Sequence, residues 1–159
     1  MWLWLAVPAF AEEAWKEPNA LVGVSVGTPN LLSIRGATWV GDEVEVEAGV
    51  GVPDPADPFP AADLAFRWRP DFACIGCGGR VLGTFGLGAG GLVTPPLDFD
   101  GPWAFAVGPD LGANLIWWVS NKWGLQVGGR VGFGPAWVGT DFDAIEVQPW
   151  AFLTLGAAF

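Results

Sequence analysis

The clearest pattern in this chain is an alternation of apolar residues with small or polar ones, which recurs from about residue 21 to the end. It is most regular in the segment 43–52, where valine or alanine occupies every second position and glutamate or glycine lies between them. A period of two places successive side chains on opposite faces of a β-strand. The 3.6-residue period of an amphipathic helix is hard to find anywhere. The pattern therefore predicts an all-β fold.

Several segments carry this alternation. Eight strands are predicted, at about residues 21–27, 31–40, 43–52, 62–69, 79–93, 103–118, 123–138 and 148–159. The connections are mostly long on one side and short on the other, which is typical of membrane barrels. Pro109, Pro135 and Pro149 fall inside three of these strands. Because proline removes a ladder hydrogen bond, each predicts a bulge or a later strand start.

The two faces of the predicted strands differ in composition. One carries valine, leucine and phenylalanine, whereas the other carries glycine, alanine and single charges of both signs. A soluble sheet would bury the first face and expose a second face rich in threonine, lysine, glutamate and serine. In a transmembrane barrel the apolar face meets lipid and the other lines the lumen. Because a narrow eight-stranded lumen is filled by its own side chains, the glycine-rich second face favours the barrel.

The last twelve residues, QPWAFLTLGAAF, end on phenylalanine and keep one wholly apolar face. This segment resembles the closing strand of small, eight-stranded bacterial outer-membrane β-barrels. The resemblance implies an antiparallel up-and-down transmembrane β-barrel over residues 20–159, with extracellular loops and periplasmic termini. It also implies that Leu153, Leu155 and Phe159 form the signal read by the outer-membrane assembly machinery. The expected partners of this monomer are that machinery and the outer-membrane lipids, including lipopolysaccharide.

The first residues of the chain predict export. A short apolar run precedes Ala9-Phe10-Ala11, which fits the small-x-small rule for signal-peptide cleavage. Residues 1–11 are therefore predicted to be a signal peptide, truncated because it has no basic start and only a short apolar run. The alternative is a buried N-terminal strand or helix. Residues 12–19 are predicted to form a periplasmic segment that precedes the barrel.

Charged residues of both signs fall on the polar face of the predicted strands. The candidates for a lumen network are Arg35, Glu43, Glu45, Glu47, Asp63, Arg67, Arg69, Arg80, Asp110 and Arg130. Opposite charges enclosed in a lumen should pair, since an unpaired charge there is costly. We expect ion pairs that plug the narrow barrel. The alternative is a constriction that selects ions or small solutes, as charged rings do in pores.

Most tryptophans lie near the ends of the predicted strands. Trp103, Trp137 and Trp150 lie at one end, and Trp39, Trp68, Trp117, Trp118 and Trp123 lie at the other. Two such bands predict the aromatic girdles of a membrane barrel. Strand parity nevertheless points Trp39, Trp118 and Trp150 inward. The alternative for each tryptophan, taken singly, is core packing.

The two cysteines, Cys74 and Cys77, lie in a predicted turn. A Cys-x-x-Cys pair would indicate redox chemistry in a β-α-β context, but no helix pattern follows it here. A closed zinc site would need further ligands. Because the topology places this turn in the oxidising periplasm, a disulfide is predicted. Redox or metal function is the alternative.

Composition excludes several function classes. Hydrophobic residues make up 52% of the chain and charged residues 15%, yet no internal apolar run is long enough for a transmembrane helix. The net charge of −10 argues against nucleic acid as a partner. The chain has no histidine, which removes the usual base for activating a serine nucleophile. We therefore predict no enzymatic activity, no catalytic residue, no cofactor and no metal.

Three hypotheses follow from these patterns. The first is a non-enzymatic outer-membrane barrel with a plugged lumen and a structural or surface-interaction role. The second is a narrow ion or small-solute pore with the same fold. The third is a secreted, soluble β-sandwich that acts as a binding module, in which exposed tryptophans would contact a ligand such as a carbohydrate.

Overall fold

The chain folds into antiparallel β-structure. The computed structural model describes residues 17–28, 30–52, 60–69, 72–76, 80–94, 104–138 and 144–159. Its strands are β1 (Ala20–Thr28), β2 (Leu32–Val40), β3 (Val44–Val52), β4 (Ala61–Trp68), β5 (Ala73–Gly76), β6 (Val81–Thr94), β7 (Ala104–Trp118), β8 (Gly124–Val138) and β9 (Ala144–Ala158). No helix that could cross a membrane occurs among these described residues. The predicted signal peptide, Cys77 and Trp103 lie outside them, as does most of the segment 12–19.

Eight of the strands close into a barrel, as the alternation predicted. β1 to β4 and β6 to β9 each pair antiparallel with their neighbours, and β4 pairs directly with β6. Closure comes from β1 and β9, which pair from Leu21↔Ala158 to Thr28↔Ala151. Phe159 extends this seam, because its backbone N–H donates to the Ala20 carbonyl at 2.9 Å. The C-terminal strand is therefore the closing strand of the barrel.

The strands are strongly tilted. Following the paired residues once around the barrel leads back to β1 about ten residues from the starting point. That offset is roughly 33 Å along a strand, compared with roughly 38 Å for eight interstrand spacings, so the tilt is about 40°. This stagger decides which inward side chains share a layer of the interior.

A short strand occupies the predicted turn between β4 and β6. β5 pairs with the beginning of β6, and the register shifts between Cys74 and Gly76. Cys74 is a free, exposed thiol, so the predicted disulfide is not formed in this structure; Cys77 lies outside the described residues. The physical reason is the extended backbone of β5. A disulfide between cysteines three positions apart needs Cα atoms within about 7 Å, which requires a tight turn.

The prolines do not end or shift the strands. β7 and β8 continue through Pro109 and Pro135, and β9 begins well before Pro149. The predicted bulges and later strand starts are therefore wrong. Instead, the β7–β8 ladder is interrupted between Ala106↔Ala136 and Asp110↔Gly132 without a change of register. Proline has no backbone N–H group to donate. Pro109 and Pro135 lie inside that interruption, where no ladder hydrogen bond is required of them.

Candidate functional site: the charged interior of the barrel

The two surfaces of the barrel wall have opposite polarity. Among the described residues of the eight barrel strands, no outward-pointing position carries a charge. Many of those positions instead hold large apolar side chains that are exposed, such as Ile34 at 68% and Leu155 at 69%. The interior carries the charged side chains, and Asp110 is 0% exposed and Arg67 is 1% exposed. The polarity is thus the reverse of that in an ordinary soluble fold.

Arg35 and Asp63 form a two-pronged ion pair across the interior. The Arg35 Nη1 and Nη2 atoms donate to Asp63 Oδ1 and Oδ2, each at 2.7 Å. Arg35 Nη1 also donates to Glu47 Oε1 at 2.8 Å. The planar guanidinium matches a carboxylate in this geometry, which makes the pair both strong and specific in orientation.

Arg130 connects two carboxylates from distant strands. Its Nε donates to Asp110 Oδ2 at 2.6 Å, and its Nη1 donates to Asp63 Oδ1 at 2.5 Å. Its Nη2 donates to the carbonyl of Leu64 at 3.3 Å. Asp63 is therefore shared by Arg35 and Arg130, so that β2, β4 and β8 are tied together through one carboxylate, and Arg130 links them to β7 through Asp110.

Arg67 joins three carboxylates in the same layer. Its Nη1 donates to Asp110 Oδ1 at 2.8 Å, its Nε donates to Glu45 Oε2 at 3.3 Å, and its Nη2 donates to Glu47. Every terminal nitrogen of this buried guanidinium thus has a partner. Each buried ion has lost its hydration, which costs free energy. Pairing with opposite charges offsets that cost.

Arg69 lies at the edge of the network and is less completely paired. Its Nη2 forms an ion pair with Glu45, whereas its Nε and Nη1 have no hydrogen-bond partner among the described residues. Its guanidinium lies over the rings of Trp39 and Phe72, at 4.7 and 5.1 Å. Burial lowers the pKa of Arg69, and the Glu45 carboxylate only partly offsets this effect. Aromatic faces thus supply part of the stabilisation that carboxylates give the other arginines.

Four arginines and four carboxylates therefore form one charge-balanced set, which we call the lumen network. Its members are Arg35, Arg67, Arg69, Arg130, Glu45, Glu47, Asp63 and Asp110. Each of the four carboxylates is paired with at least one arginine. The arrangement can hold the strands in register and fill the lumen, but it presents no nucleophile with a base beside it.

Glycines make room for the network. A Cβ atom added at Gly112 would lie 2.7 Å from Arg67 Cζ, and one at Gly90 would lie 2.4 Å from Arg130 Nη2. The guanidinium groups therefore occupy the space that side chains at these inward positions would fill. This explains why glycine occupies positions 90 and 112.

Two aromatic residues of β9 complete the network. The Trp150 Nε1 donates to Asp110 Oδ2 at 2.8 Å, and Trp150 is only 2% exposed. The Phe152 ring lies 3.6 Å from Arg35 Cζ and 5.8 Å from Arg130 Cζ. Sequence reasoning assigned Trp150 to a girdle and overlooked Phe152. The parity of the terminal strand was the signal that could have placed both inside.

Apolar layers lie on both sides of the lumen network. One cluster, at the end of the barrel where β1 begins and β9 ends, contains Leu21, Ala37, Leu82, Ile116, Trp118 and Ala158. The other contains Ala106, Ala136, Trp150 and Phe152. A cavity of about 10 Å³ lies among inward-facing residues, enough for roughly one water molecule. The interior is thus packed, as expected for eight strands.

Comparison with known proteins identifies no relative. No protein-family model, curated protein or solved structure matches this chain. Its function must therefore be inferred from the geometry of the barrel itself.

Glu43, one of the predicted lumen residues, lies apart from the network. Glu43 is exposed in the turn before β3 and accepts a hydrogen bond from Trp68 Nε1 at 3.0 Å, so its assignment to the lumen was wrong. The reason is that β3 begins one residue later, at Val44, so strand parity does not extend to Glu43. Arg80 is half-buried immediately before β6, and its carbonyl accepts from the Trp118 N–H at 2.8 Å.

The predicted girdle tryptophans divide into two groups. Trp68, Trp117 and Trp123 are exposed on the outer side. Trp137 is half-buried, with its ring stacked on Phe105 at 4.8 Å. Trp39, Trp118 and Trp150 instead pack in the interior, which corrects their assignment to the girdles. Strand parity predicts that these three side chains point inward, and in the structure they do.

The residues of the predicted assembly signal lie on the outer wall. Leu153, Leu155 and Phe159 are 59%, 69% and 52% exposed. Leu153 also borders an apolar groove of about 520 Å³ between β5 and the neighbouring wall, which Ile75, Phe85, Leu115 and Val127 help to line. The closing strand thus adds its apolar side chains to a continuous apolar exterior.

Proposed function

We propose that this chain is an integral outer-membrane β-barrel with a closed lumen and a non-enzymatic, structural or surface-interaction role. The observation that carries the proposal is the reversed polarity of the wall, apolar outside and charged inside. In water, so large an exposed apolar surface would be a severe aggregation hazard. Each valine, leucine or phenylalanine covered by lipid is worth about 1.5–3 kcal/mol. A bilayer is therefore the environment that suits this surface.

The tilt and strand lengths support this proposal. A tilt of about 40° lies within the range of transmembrane barrels. Of the eight barrel strands, β6 contains 14 residues, β7, β8 and β9 contain 15 each, and β1 to β4 contain 8 or 9. About nine to eleven tilted residues cross the hydrocarbon. The longer strands would then extend beyond the hydrocarbon layer.

The lumen network supports the closed state. An ion that entered would have to displace arginine–carboxylate pairs that are nearly inaccessible to solvent. A narrow ion or small-solute pore is the second candidate, since charged side chains line the interior as they do in selective channels. The extensive arginine–carboxylate pairing favours the plug, because selective rings hold their charges available to the passing ion.

The proposed partners follow from the proposed location in the outer membrane. We propose that the apolar wall contacts outer-membrane lipids, including lipopolysaccharide, and that Leu153, Leu155 and Phe159 engage the assembly machinery. The barrel acts as a monomer with its termini in the periplasm. In the third hypothesis, the soluble binding module, the same apolar wall would be exposed to water, which makes it the weakest of the three.

Cell fractionation with a heat-modifiability gel tests the location. We expect the protein in the membrane fraction, with a different mobility in SDS before and after boiling, because a folded barrel resists SDS until it is heated. Recovery in the soluble periplasmic or secreted fraction, without a mobility shift, would overturn the proposal. Trp68 and Trp117 on the exterior would then become candidate ligand contacts of a soluble module.

Planar-bilayer recording tests the closed lumen separately. The purified barrel should show no discrete unitary conductance. Steady unitary channels would favour the pore. In that case Arg130→Ala and Glu45→Ala should each change ion selectivity, since both side chains belong to the lumen network.

A further inference from the structure

A small cavity lies beside the lumen network, toward the end of the barrel where β1 begins and β9 ends. Its volume is about 10 Å³, close to the smallest space that holds one water molecule. The inward-facing residues that line it are Leu21, Arg35, Ala37, Glu47, Gln126 and Thr154. It is therefore a site with room for one very small ligand and with polar groups on several sides.

Within the part of the chain that the structure describes, two of the lining residues have a polar atom without a hydrogen-bond partner. Arg35 uses Nη1 and Nη2 for Glu47 and Asp63, but its Nε is buried and unpartnered. Gln126 uses its amide nitrogen to donate to Asn114 Oδ1 at 2.7 Å, but its Oε1 is buried and unpartnered. Both residues are more than nine-tenths buried. Buried polar groups in folded proteins nearly always have a partner.

We propose that this cavity binds a single structural water molecule, which accepts a hydrogen bond from Arg35 Nε and donates one to Gln126 Oε1. The ligand must accept from one group and donate to the other, as water does. A cation is excluded by the Arg35 guanidinium. An anion is excluded by the carboxylate of Glu47 and by the Gln126 carbonyl oxygen. The size of the cavity excludes anything larger.

The water would connect two polar groups of the interior that are otherwise separate. Gln126 and Asn114 form a hydrogen-bonded pair on β7 and β8, whereas Arg35 belongs to the lumen network. With the water in place, the pair and the network become one continuous hydrogen-bonded system. This site belongs to the interior of the barrel, so it does not depend on whether the outer wall faces lipid.

High-resolution crystallography of the intact barrel tests the site. The expected result is a single density peak at about 3 Å from both Arg35 Nε and Gln126 Oε1. The Gln126→Met variant should lose the peak, because it keeps the bulk of the side chain but removes the acceptor. The matched control is Asn114→Ala, which removes the direct partner of Gln126, leaves Oε1 in place and should retain the peak.

Solution NMR of the wild-type barrel also tests the water site, and it does not depend on a variant that folds. The Arg35 Nε–H should show a cross-peak to bound water. The proposal is overturned by an empty cavity, by a peak that refines as an ion, or by a direct protein bond to Arg35 Nε. It is also overturned by a reversed Gln126 amide that presents its nitrogen to the cavity.

Discussion

The indole of Trp150 donates a 2.8 Å hydrogen bond to Asp110 in the interior of the barrel. Trp150 belongs to the closing strand β9, and Asp110 lies on β7, two strands away. The same Asp110 carboxylate accepts from Arg67 and Arg130. The closing strand is therefore attached to the lumen network through a side chain as well as through its backbone ladder.

Replacing Trp150 with phenylalanine should destabilise the folded barrel by about 1–3 kcal/mol, because it removes a hydrogen bond to a buried charge and leaves a void. Urea unfolding of the detergent- or lipid-solubilised protein measures the effect. Trp117→Phe is the matched control, since Trp117 is 60% exposed on the outer wall. A cost no larger for Trp150→Phe than for Trp117→Phe would show that the Asp110 bond adds nothing.

Asp63→Asn should be among the most destabilising conservative changes in the chain. It removes the negative charge that Arg35 and Arg130 share and leaves both guanidinium groups partly unpaired. Breaking a buried ion pair from one side typically costs about 3–5 kcal/mol. The denaturation midpoint should fall accordingly.

The control for Asp63→Asn is Glu43→Gln, which neutralises an exposed carboxylate in the turn before β3. Its effect should be small, since a surface charge contributes little to stability. Equal costs for the two variants would mean that the lumen network is not what holds the strands together.

Strand parity made much of this fold accessible from sequence. Arg35, Arg67 and Arg130 alternate with apolar neighbours, so each was assigned to the face that the structure turns inward. Parity fixes only the face, however. The layer in which a side chain lies depends on the stagger accumulated around the barrel, which no single strand encodes. The contact between Arg130 and Asp63, 67 residues apart in the chain, could not be derived in this way.

The wrong predictions concern residues of two kinds. Some lie beyond the end of a strand, where strand parity no longer applies, and for others the residue type outweighed the parity. Glu43 was assigned to the lumen by extending the alternation one residue beyond β3. Trp118 and Trp150 were assigned to girdles because of their residue type, although their parity pointed inward and both are buried. β5 was taken for a turn because four residues are too few for a clear period-two pattern.

Gly112→Ala should destabilise the barrel by about 1–3 kcal/mol, the usual cost of overpacking a filled core. The added methyl group would lie 2.7 Å from Arg67 Cζ, so the guanidinium would have to leave its carboxylate partners. The matched control is Gly36→Ala on the outer side, where the nearest atom would be 3.7 Å away. Thermal or urea unfolding should separate the two variants. If they behave alike, glycine at position 112 does not serve to make room for Arg67.

A positive charge placed midway along the outer wall tests the contact with lipid most directly. Leu111 is the central residue of β7 and is 50% exposed. In a bilayer, Leu111→Arg should cost about 2–4 kcal/mol, because the arginine would lie near the midplane. Val40→Arg is the control, since Val40 is the last residue of β2 and its cost near the interface should be at most about 1 kcal/mol. Refolding into lipid vesicles, followed by gels of unboiled samples, gives the folded fraction. A wall in contact with water would tolerate both arginines equally, so a large difference between the two positions is the result that requires a membrane.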